Sequence, residues 1–214
     1  NAQVDGSLQA LKSQHVDTGM GFERVVAVLQ DKSSNYDTDL FLPLLDSVAK
    51  DAVFASLGSY QDALKLEGGE GEKVQIALRV IADHLRTICF AVADGVMPGN
   101  AGRGYVIRRI LRRAVRYGYQ TLGFRSPILF SKVGEIVALM GEQFPELVNA
   151  QAYIERVIRA EEESFLETLG TGIEYFSTVA PVLEQPQSGA AESAVKSGIQ
   201  KDRHVMDLLK KAYA

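Results

Sequence analysis

The stretch GNAGRGYVIRRILRRAVRYG, residues 99–118, contains six arginines and no acidic residue. Its apolar residues recur at the three- and four-residue spacing of an α-helix, which predicts a helix from about residue 105 to Tyr117 that stops at Gly118. At about 100° per residue, one side of this helix is apolar and suited to a core. That side comprises Val106, Ile107, Ile110, Leu111, Ala114 and Tyr117.

The opposite side of the predicted helix presents five guanidinium groups on an arc of about 140°. They belong to Arg108, Arg109, Arg112, Arg113 and Arg116. Like charges four residues apart oppose helix formation by about 0.3 kcal/mol per pair, and no acid within the helix relieves that repulsion. A phosphate backbone would relieve it through charge-assisted hydrogen bonds and counterion release, so the arc favours a nucleic acid.

The arginine arc is also compatible with two simpler roles that involve no nucleic acid. It can be a solvated basic face, or its members can pair with acids of neighbouring helices. Residues 161–163 are three consecutive glutamates. They are most simply a solvated helix face, although they can also reach the arginine helix across the domain.

A glycine-rich segment, VMPGNAGRG at residues 96–104, leads into the arginine helix and reads as a loose linker. A helix N-terminus offers free amides to an anion. Asn100 carries both a donor and an acceptor and can therefore read a base edge. On spacing alone, a turn-forming asparagine is the simpler interpretation of Asn100.

Charge is unevenly distributed along the chain, whose formal net charge is −4. Between Asp94 and Glu135 there are eight basic residues and no acid, so the rest of the chain carries a large acidic excess. This asymmetry indicates one basic surface on an acidic body and a polyanionic partner.

The composition of the 214 residues, 46% hydrophobic and 23% charged, is typical of a globular protein. No apolar run is long enough for a membrane span, so we expect no membrane partner. The single cysteine, Cys89, excludes an internal disulfide and is typical of a reducing compartment, which predicts a cytoplasmic location. Three scattered histidines lack the spacing of a zinc site, and no metal ligands are expected.

The remaining patterns predict a mainly α-helical chain. A strand is expected over 11–16, and a helix over 22–30. The next helix is expected to start at Asn35 or Asp37 and to bury Leu40, Phe41, Leu44, Leu45 and Val48. The glycine-rich segment 64–73 reads as a loop, followed by helices over 73–95, 129–142 and 146–169, a low-complexity linker over 184–198 and a basic amphipathic tail over 202–214.

A second motif, HVDTGMGFERV at residues 15–25, places four chemically useful residues close together. Asp17 can meet an amine, Gly19 and Gly21 allow close backbone approach, and Arg24 can meet a phosphate in the first turn of the following helix. A capping aspartate, a tight turn and a surface arginine account for the same pattern, and do so more often.

Taken together and in order, five segments resemble alanyl-tRNA synthetase, a class II aminoacyl-tRNA synthetase. VDTGMGFERVVAVLQ is similar to its motif 3. The segments that resemble its following region are SNYDTDLF, RVIADHLRT, ADGVMPGNAGRGYVIRRILRRAVRYG and EEESFLETLGTGI. The resemblance covers about residues 15–175, and the arginine segment is its most specific part.

The resemblance implies a role for each matching residue. Asp17 receives the α-amino group of alanine, Gly19 and Gly21 line the adenylate pocket, and Arg24 binds the terminal phosphate of ATP. Asn100 reads the G·U wobble pair of the acceptor stem of alanine tRNA from the minor groove. The residues implied to bind the tRNA around it are Arg103, Arg108, Arg109, Arg112, Arg113 and Arg116.

The resemblance also implies a domain order and an incomplete enzyme. Residues 1–30 form the end of the class II catalytic domain, with a short strand and turn. Residues 31–184 form a helical tRNA-recognition bundle, and residues 185–214 form a linker and an unassigned tail. Motifs 1 and 2 and the editing domain are not recognisable, so we expect an excised piece that is inactive alone. ATP and Mg²⁺ serve the intact enzyme, and this piece is expected to bind neither.

Two functions of different classes compete with this interpretation. In the first, the chain is a helical protein-interaction module whose arginine face docks an acidic partner. In the second, it is a freestanding nucleotide-binding protein that uses the DTGMG segment.

Overall fold

The computed structural model describes residues 3–10, 13, 16–53 and 57–183. The chain separates into two compact units, Asn1–Leu40 and Phe41–Ala214. The predicted strand over 11–16 falls mostly on residues outside the described part. The linker over 184–198 and the tail over 202–214 also lie outside it.

The first unit contains helix α1, Phe22–Leu29, which confirms the helix expected there. Ala27 is its buried residue, while Phe22, Val28 and Leu29 are exposed. After α1, the Gln30 amide donates to the Asp39 carboxylate at 2.6 Å and accepts from the Asp39 backbone N–H at 3.2 Å. These two hydrogen bonds hold Gln30 and Asp39 together and so close a loop over residues 31–38.

The helix expected to start at Asn35 or Asp37 begins later. Asn35–Asp37 form a single 3₁₀ turn, and the Ser34 hydroxyl accepts from the Tyr36 N–H at 3.3 Å. The turn stops because Thr38 is extended and donates its hydroxyl to the Asn35 carbonyl at 2.6 Å. The start signals were therefore those of a turn.

The second unit begins with two short helices, α2 (Leu42–Lys50) and α3 (Tyr60–Leu64). Pro43 lies in the first turn of α2, where its missing N–H costs nothing. As expected from their spacing, Phe41, Leu44, Leu45 and Val48 are buried, whereas Leu40, expected to be buried with them, is only half-buried. Helix α3, whose start is capped by the Ser59 hydroxyl, was not predicted.

The prediction of a loop over residues 64–73 is wrong for its glycine-rich half. Helix α4 runs over Gly68–Ala93, so the glycines form its first turn. A Cβ on Gly71 would lie 2.5 Å from the Leu66 carbonyl oxygen, which shows that this glycine permits close packing. The predicted end is correct, since Gly95 adopts a positive φ of 83° after the helix.

The arginine helix, α5, spans Gly102–Tyr117 and begins three residues before the predicted start. It buries Ile107, Leu111, Ala114 and Val115. The predicted apolar side is wrong at Val106, which is 52% exposed. The buried side of the helix includes Val115 in its place. The chain continues through one π turn, Gly118–Leu122, and leaves it at Gly123.

The last two helices complete the bundle. The helix expected over 129–142 is a 3₁₀ turn, Leu129–Lys132, followed by α6, Val133–Met140. Helix α7, Pro145–Leu183, extends well beyond residue 169. Helices α4, α5 and α7 pack against one another, with α2, α3 and α6 against α4. The described fold is mainly α-helical, which confirms the predicted class. In the described ranges, every helix is too short or too polar to cross a membrane.

Candidate nucleic-acid interface

A buried glutamate of α7 divides the arginine face of α5. The Glu161 carboxylate lies 2.7 Å from the Arg112 Nε and 3.1 Å from the Arg108 Nε. Glu161 is only 8% exposed. The expectation that all five arginines face solvent is therefore wrong for Arg108 and Arg112. The packing of α7 against α5 brings a carboxylate between them, which sequence spacing within α5 cannot reveal.

Arg112 is held on a second side by an aromatic ring of α7. Its guanidinium carbon lies 5.0 Å from the centre of the Phe165 ring, within range of a cation–π contact. With Glu161 on one side and Phe165 on the other, Arg112 joins α5 to α7.

The remaining arginines of the segment form an outer row. Arg103, Arg109 and Arg113 are exposed and Arg116 is half-buried. Within the part of the chain that the structure describes, none of the four has a carboxylate partner. Arg113 and Arg116 each lie 5.9 Å from the Tyr117 ring centre. From Arg109 to Arg116 the row extends about 10 Å along the helix.

The segment that leads into α5 is a turn held by backbone hydrogen bonds, which corrects the prediction of a loose linker. We call it the fastened turn. The Gly99 N–H donates to the Gly104 carbonyl at 2.9 Å, and the Val96 N–H donates to Ala91 at 2.9 Å. A Cβ on Gly104 would collide with the Met97 carbonyl oxygen. The glycines therefore let the turn lie directly on the first turn of α5.

Asn100 lies exposed at the tip of this turn. The Arg108 Nη1 donates to the Asn100 Oδ1, while the Arg108 Nε donates to Glu161 at 3.2 Å. A chain of hydrogen bonds thus runs from α7 through Arg108 to the asparagine. Sequence reasoning selected Asn100 and Arg108 separately and did not connect them.

The three glutamates of α7 have three different environments. The solvated face, the simpler of the two expectations, holds for Glu163 alone, and the alternative, pairing with the arginine helix, is confirmed for Glu161. Glu163 alone is exposed, and it pairs with Arg159 at 2.9 Å. Glu162 is 2% exposed and accepts the backbone N–H groups of residues 128, 129 and 130 at 2.9–3.1 Å. Burial raises the pKa of Glu162, although these hydrogen bonds act in the opposite direction. Glu162 therefore organises the 3₁₀ turn before α6.

The residues of the front motif lie around the start of α1. Asp17, Gly19 and Gly21 are exposed on the segment before the helix, and no side chain caps its first turn. Arg24 is exposed on that turn. It borders a cavity of about 200 Å³ whose other walls are Met20, Val25, Val28 and Leu29.

The front motif combines free helix N–H groups with one basic side chain, Arg24, and one acidic side chain, Glu23, in the first turn of α1. The uncapped helix start and the Arg24 guanidinium are suitable for one anionic group. The described residues around the cavity supply only apolar walls besides Arg24 and do not enclose a base or a ribose. Nor do the described residues contain a cluster of carboxylates, histidines or cysteines that could hold a metal ion.

A family model described as tRNA synthetases class II (A) matches residues 1–195. The chain belongs to this class II synthetase family. It is 55% identical over 215 residues to the alanine–tRNA ligase of Salinibacter ruber, covering 100% of this chain and 22% of that protein. The alanine–tRNA ligase of Chlorobaculum tepidum is 56% identical over 83% of this chain and 19% of its own length. That of Bacteroides thetaiotaomicron is 49% identical over 81% of this chain and 18% of its own length.

This class II synthetase chain thus spans 18–22% of the length of these relatives. Its described residues present one group of candidate residues in each compact unit. One comprises Asn100, the arginine pair held by Glu161 and the outer arginine row, all in the second unit. The second group comprises Asp17 and Arg24 with the glycines between them, in the first unit.

Proposed function

We propose that this chain is the part of an alanine–tRNA ligase that holds the acceptor stem of alanine tRNA. The observation that carries the proposal is the outer row of Arg103, Arg109, Arg113 and Arg116, which have no carboxylate partner among the described residues. The same helix carries Arg108, whose Nη1 donates to Asn100 on a turn closed by backbone hydrogen bonds. The names of the three relatives supply the identity of the amino acid and of the RNA.

The outer row suits the phosphates of an RNA backbone. Each guanidinium there can give a bidentate, charge-assisted contact to a phosphate without first breaking an internal ion pair. Arg108 and Arg112 differ, because Glu161 already neutralises much of their charge. The outer row therefore supplies most of the affinity, and the inner pair supplies the geometry.

Asn100 is the residue that we propose reads sequence. Phosphate contacts fix the position of a protein on a helix, whereas base-edge contacts distinguish one pair from another. The wide, shallow minor groove of an RNA helix lets a short side chain reach the base edges. In this proposal Asn100 recognises the G·U pair of the acceptor stem from that groove.

The front motif is proposed to serve alanine activation in the intact ligase. There the alanine carboxylate attacks the α-phosphate of ATP and releases pyrophosphate, and a ribose hydroxyl of the terminal adenosine then takes the alanyl group and releases AMP. Asp17 would hold the α-amino group, Gly19 and Gly21 would lie against the adenylate, and Arg24 would hold the terminal phosphate. These residues act by positioning and electrostatics. Mg²⁺ bound with ATP would neutralise phosphate charge.

We place this activity in the cytoplasm. The only cysteine, Cys89, is buried and unpaired, as expected in a reducing compartment. Among the described residues, Arg24 is the single polar side chain that lines the cavity of the front motif, so we propose that alanyl-adenylate formation needs further parts of the ligase.

The experiment that tests the proposal is a salt-dependent RNA titration. The 214-residue chain is titrated with a hairpin copy of the alanine tRNA acceptor stem and with a variant in which G·C replaces G·U. We expect tighter binding to the G·U hairpin and affinity for both hairpins that falls steeply with salt. Equal affinities for the G·U and G·C hairpins would contradict the proposed base-reading role of Asn100. An affinity that does not change with salt concentration would contradict the proposed phosphate-binding role of the arginines.

A further inference from the structure

The orientation of the Asn100 amide is fixed by Arg108. An arginine side chain carries only hydrogen-bond donors, so the amide atom that faces its Nη1 is the oxygen Oδ1. The amide oxygen is therefore occupied inside the protein. The amino group Nδ2, with two N–H donors, is the half of the side chain that remains for a ligand.

Arg108 is itself held by α7. Its Nε lies 3.1 and 3.2 Å from the two carboxylate oxygens of Glu161, and its side chain is only 24% exposed. A free arginine side chain samples many rotamers, and fixing it at both ends removes that freedom before a ligand arrives. Arg108 therefore connects the buried Glu161 carboxylate on α7 to the exposed amide of Asn100 through two hydrogen bonds.

We propose that Glu161 and Arg108 are positioning residues that turn the Asn100 amide so that its Nδ2 group donates to an acceptor on the RNA. This inference rests on the proposed function and specifies the chemistry of its recognition step. In the minor groove the base acceptors are purine N3 and pyrimidine O2, whereas the guanine amino group is a donor. Asn100 thus contacts an acceptor atom of the pair or its ribose, and the guanine amino group needs a different partner.

The positioning part of the inference is testable without RNA. The side-chain NH₂ resonances of Asn100 are recorded by ¹⁵N NMR in the full chain, in Glu161→Gln and in Glu163→Gln. Glu163 is the matched control, since it is the next glutamate but one and, among the described residues, pairs with Arg159 and not with Arg108. We expect the Asn100 signals to shift and to exchange faster in Glu161→Gln alone. Asn100 signals that are the same in all three proteins would overturn the positioning role.

The recognition part is tested by changing atoms of the RNA. Hairpins with a G·U pair and with an I·U pair differ only in the guanine amino group. We expect Asn100→Ala to weaken binding to both hairpins by the same factor, about tenfold. A loss confined to the G·U hairpin would mean that Oδ1 accepts from the guanine amino group, and the inference would be wrong.

Double substitution separates this inference from the function on which it rests. If Glu161 acts through Asn100, then Glu161→Gln weakens the preference for the G·U over the G·C hairpin. The double variant Glu161→Gln/Asn100→Ala should then show the same preference as Asn100→Ala alone. Glu161→Gln with the full preference retained would overturn the inference and leave the proposed function intact. A chain that binds RNA with no preference would instead overturn the proposed base reading, while the NMR experiment still decides the positioning role. If Glu161→Gln does not fold, Arg108→Lys is used in its place, because lysine keeps the positive charge but lacks the separate guanidinium donors that contact Glu161 and Asn100.

Discussion

The Glu161 carboxylate of α7 lies 2.7 Å from the Nε of Arg112 on α5. It also lies 3.1 Å from Arg108, so one buried acid lies between two arginines of a helix that has no acid of its own. The like-charge repulsion within α5 is relieved there by tertiary packing, and only the outer row keeps its full charge for a partner.

We expect Glu161→Ala to lower the free energy of unfolding by about 1–2 kcal/mol, because it leaves two partly buried guanidinium groups without a carboxylate. The full cost of breaking a buried pair does not apply, since the Arg112 side chain is 38% exposed and can turn to water. Urea unfolding followed by circular dichroism measures the change. Glu163→Ala is the control and should cost under about 0.5 kcal/mol, because its pair with Arg159 is exposed. Equal losses in the two variants would contradict the special role of Glu161.

The two groups of arginines should differ in the salt dependence of RNA binding. Arg109→Ala and Arg113→Ala should each lower the slope of log K against log salt by about 0.7–0.9, because each removes one phosphate contact. Arg112→Ala should change that slope much less, since Glu161 already occupies its guanidinium. Titration of a hairpin acceptor stem between 50 and 200 mM salt, a range of about fourfold in counterion concentration, measures the slopes.

A basic residue outside the interface supplies the control for these slopes. Lys73 lies near the start of α4 and, within the described part of the chain, pairs with Glu70 at 2.6 Å. Lys73→Ala should leave the slope unchanged. If Arg112→Ala lowered the slope as much as Arg109→Ala does, the division of the arginine face into an inner pair and an outer row would be wrong.

Much of the fold could be predicted from the sequence, because the signal lies within single helices. The three- and four-residue spacing of apolar residues located α1, α4, α5 and α7, and Gly95 marked the end of α4. The glycine-rich start of α4 was misread as a loop, since the close approach of Gly71 to Leu66 depends on tertiary packing.

The residues of the candidate site could be named from the sequence, but their connections could not. Arg108 and Glu161 are 53 positions apart, and the sequence left a contact between the glutamates and the arginine helix as one of two alternatives, without identifying which glutamate would make it. The role of Glu162 in holding the 3₁₀ turn was not predicted, because it too depends on contacts between distant segments. Its buried position and its backbone partners appear only when the 3₁₀ turn before α6 is folded beside α7.

Glu162→Gln should destabilise the fold although it preserves size and shape. The native carboxylate accepts N–H groups on both of its oxygens, from Leu129 at 2.9 Å and from Phe130 at 2.9 Å. The amide has one oxygen and one NH₂ group, so one backbone donor would then face another donor. We expect a loss of about 1–3 kcal/mol, typical of a buried donor left unsatisfied. Thermal unfolding measures it, with Glu163→Gln as a control that should change little.

The same carboxyl should give stability a distinct pH dependence. Burial raises the pKa of Glu162 above its ordinary value of 4.5. Between the unfolded and the folded pKa, the folded protein binds more protons than the unfolded chain, so the contribution of Glu162 falls as pH rises through that window. We therefore expect the free-energy difference between wild type and Glu162→Gln to decrease as pH rises from 4.5 and then to level off. A difference that increases over this range would contradict the direction of the shift.

Two glycines of similar local structure should have different effects on RNA binding. Gly71 and Gly104 both lie in the first turn or two of a helix, and a Cβ on either would collide with a backbone carbonyl, of Leu66 and of Met97 respectively. Alanine usually stabilises a helix interior by about 1 kcal/mol over glycine, but these collisions should reverse the sign in both cases. Only Gly104 supports the turn that carries Asn100, because its carbonyl accepts the Gly99 N–H at 2.9 Å. We thus expect both alanine variants to melt earlier, and Gly104→Ala alone to lose preference for a G·U hairpin over a G·C hairpin. Loss of that preference in Gly71→Ala as well would show that general stability, and not the shape of this turn, governs recognition.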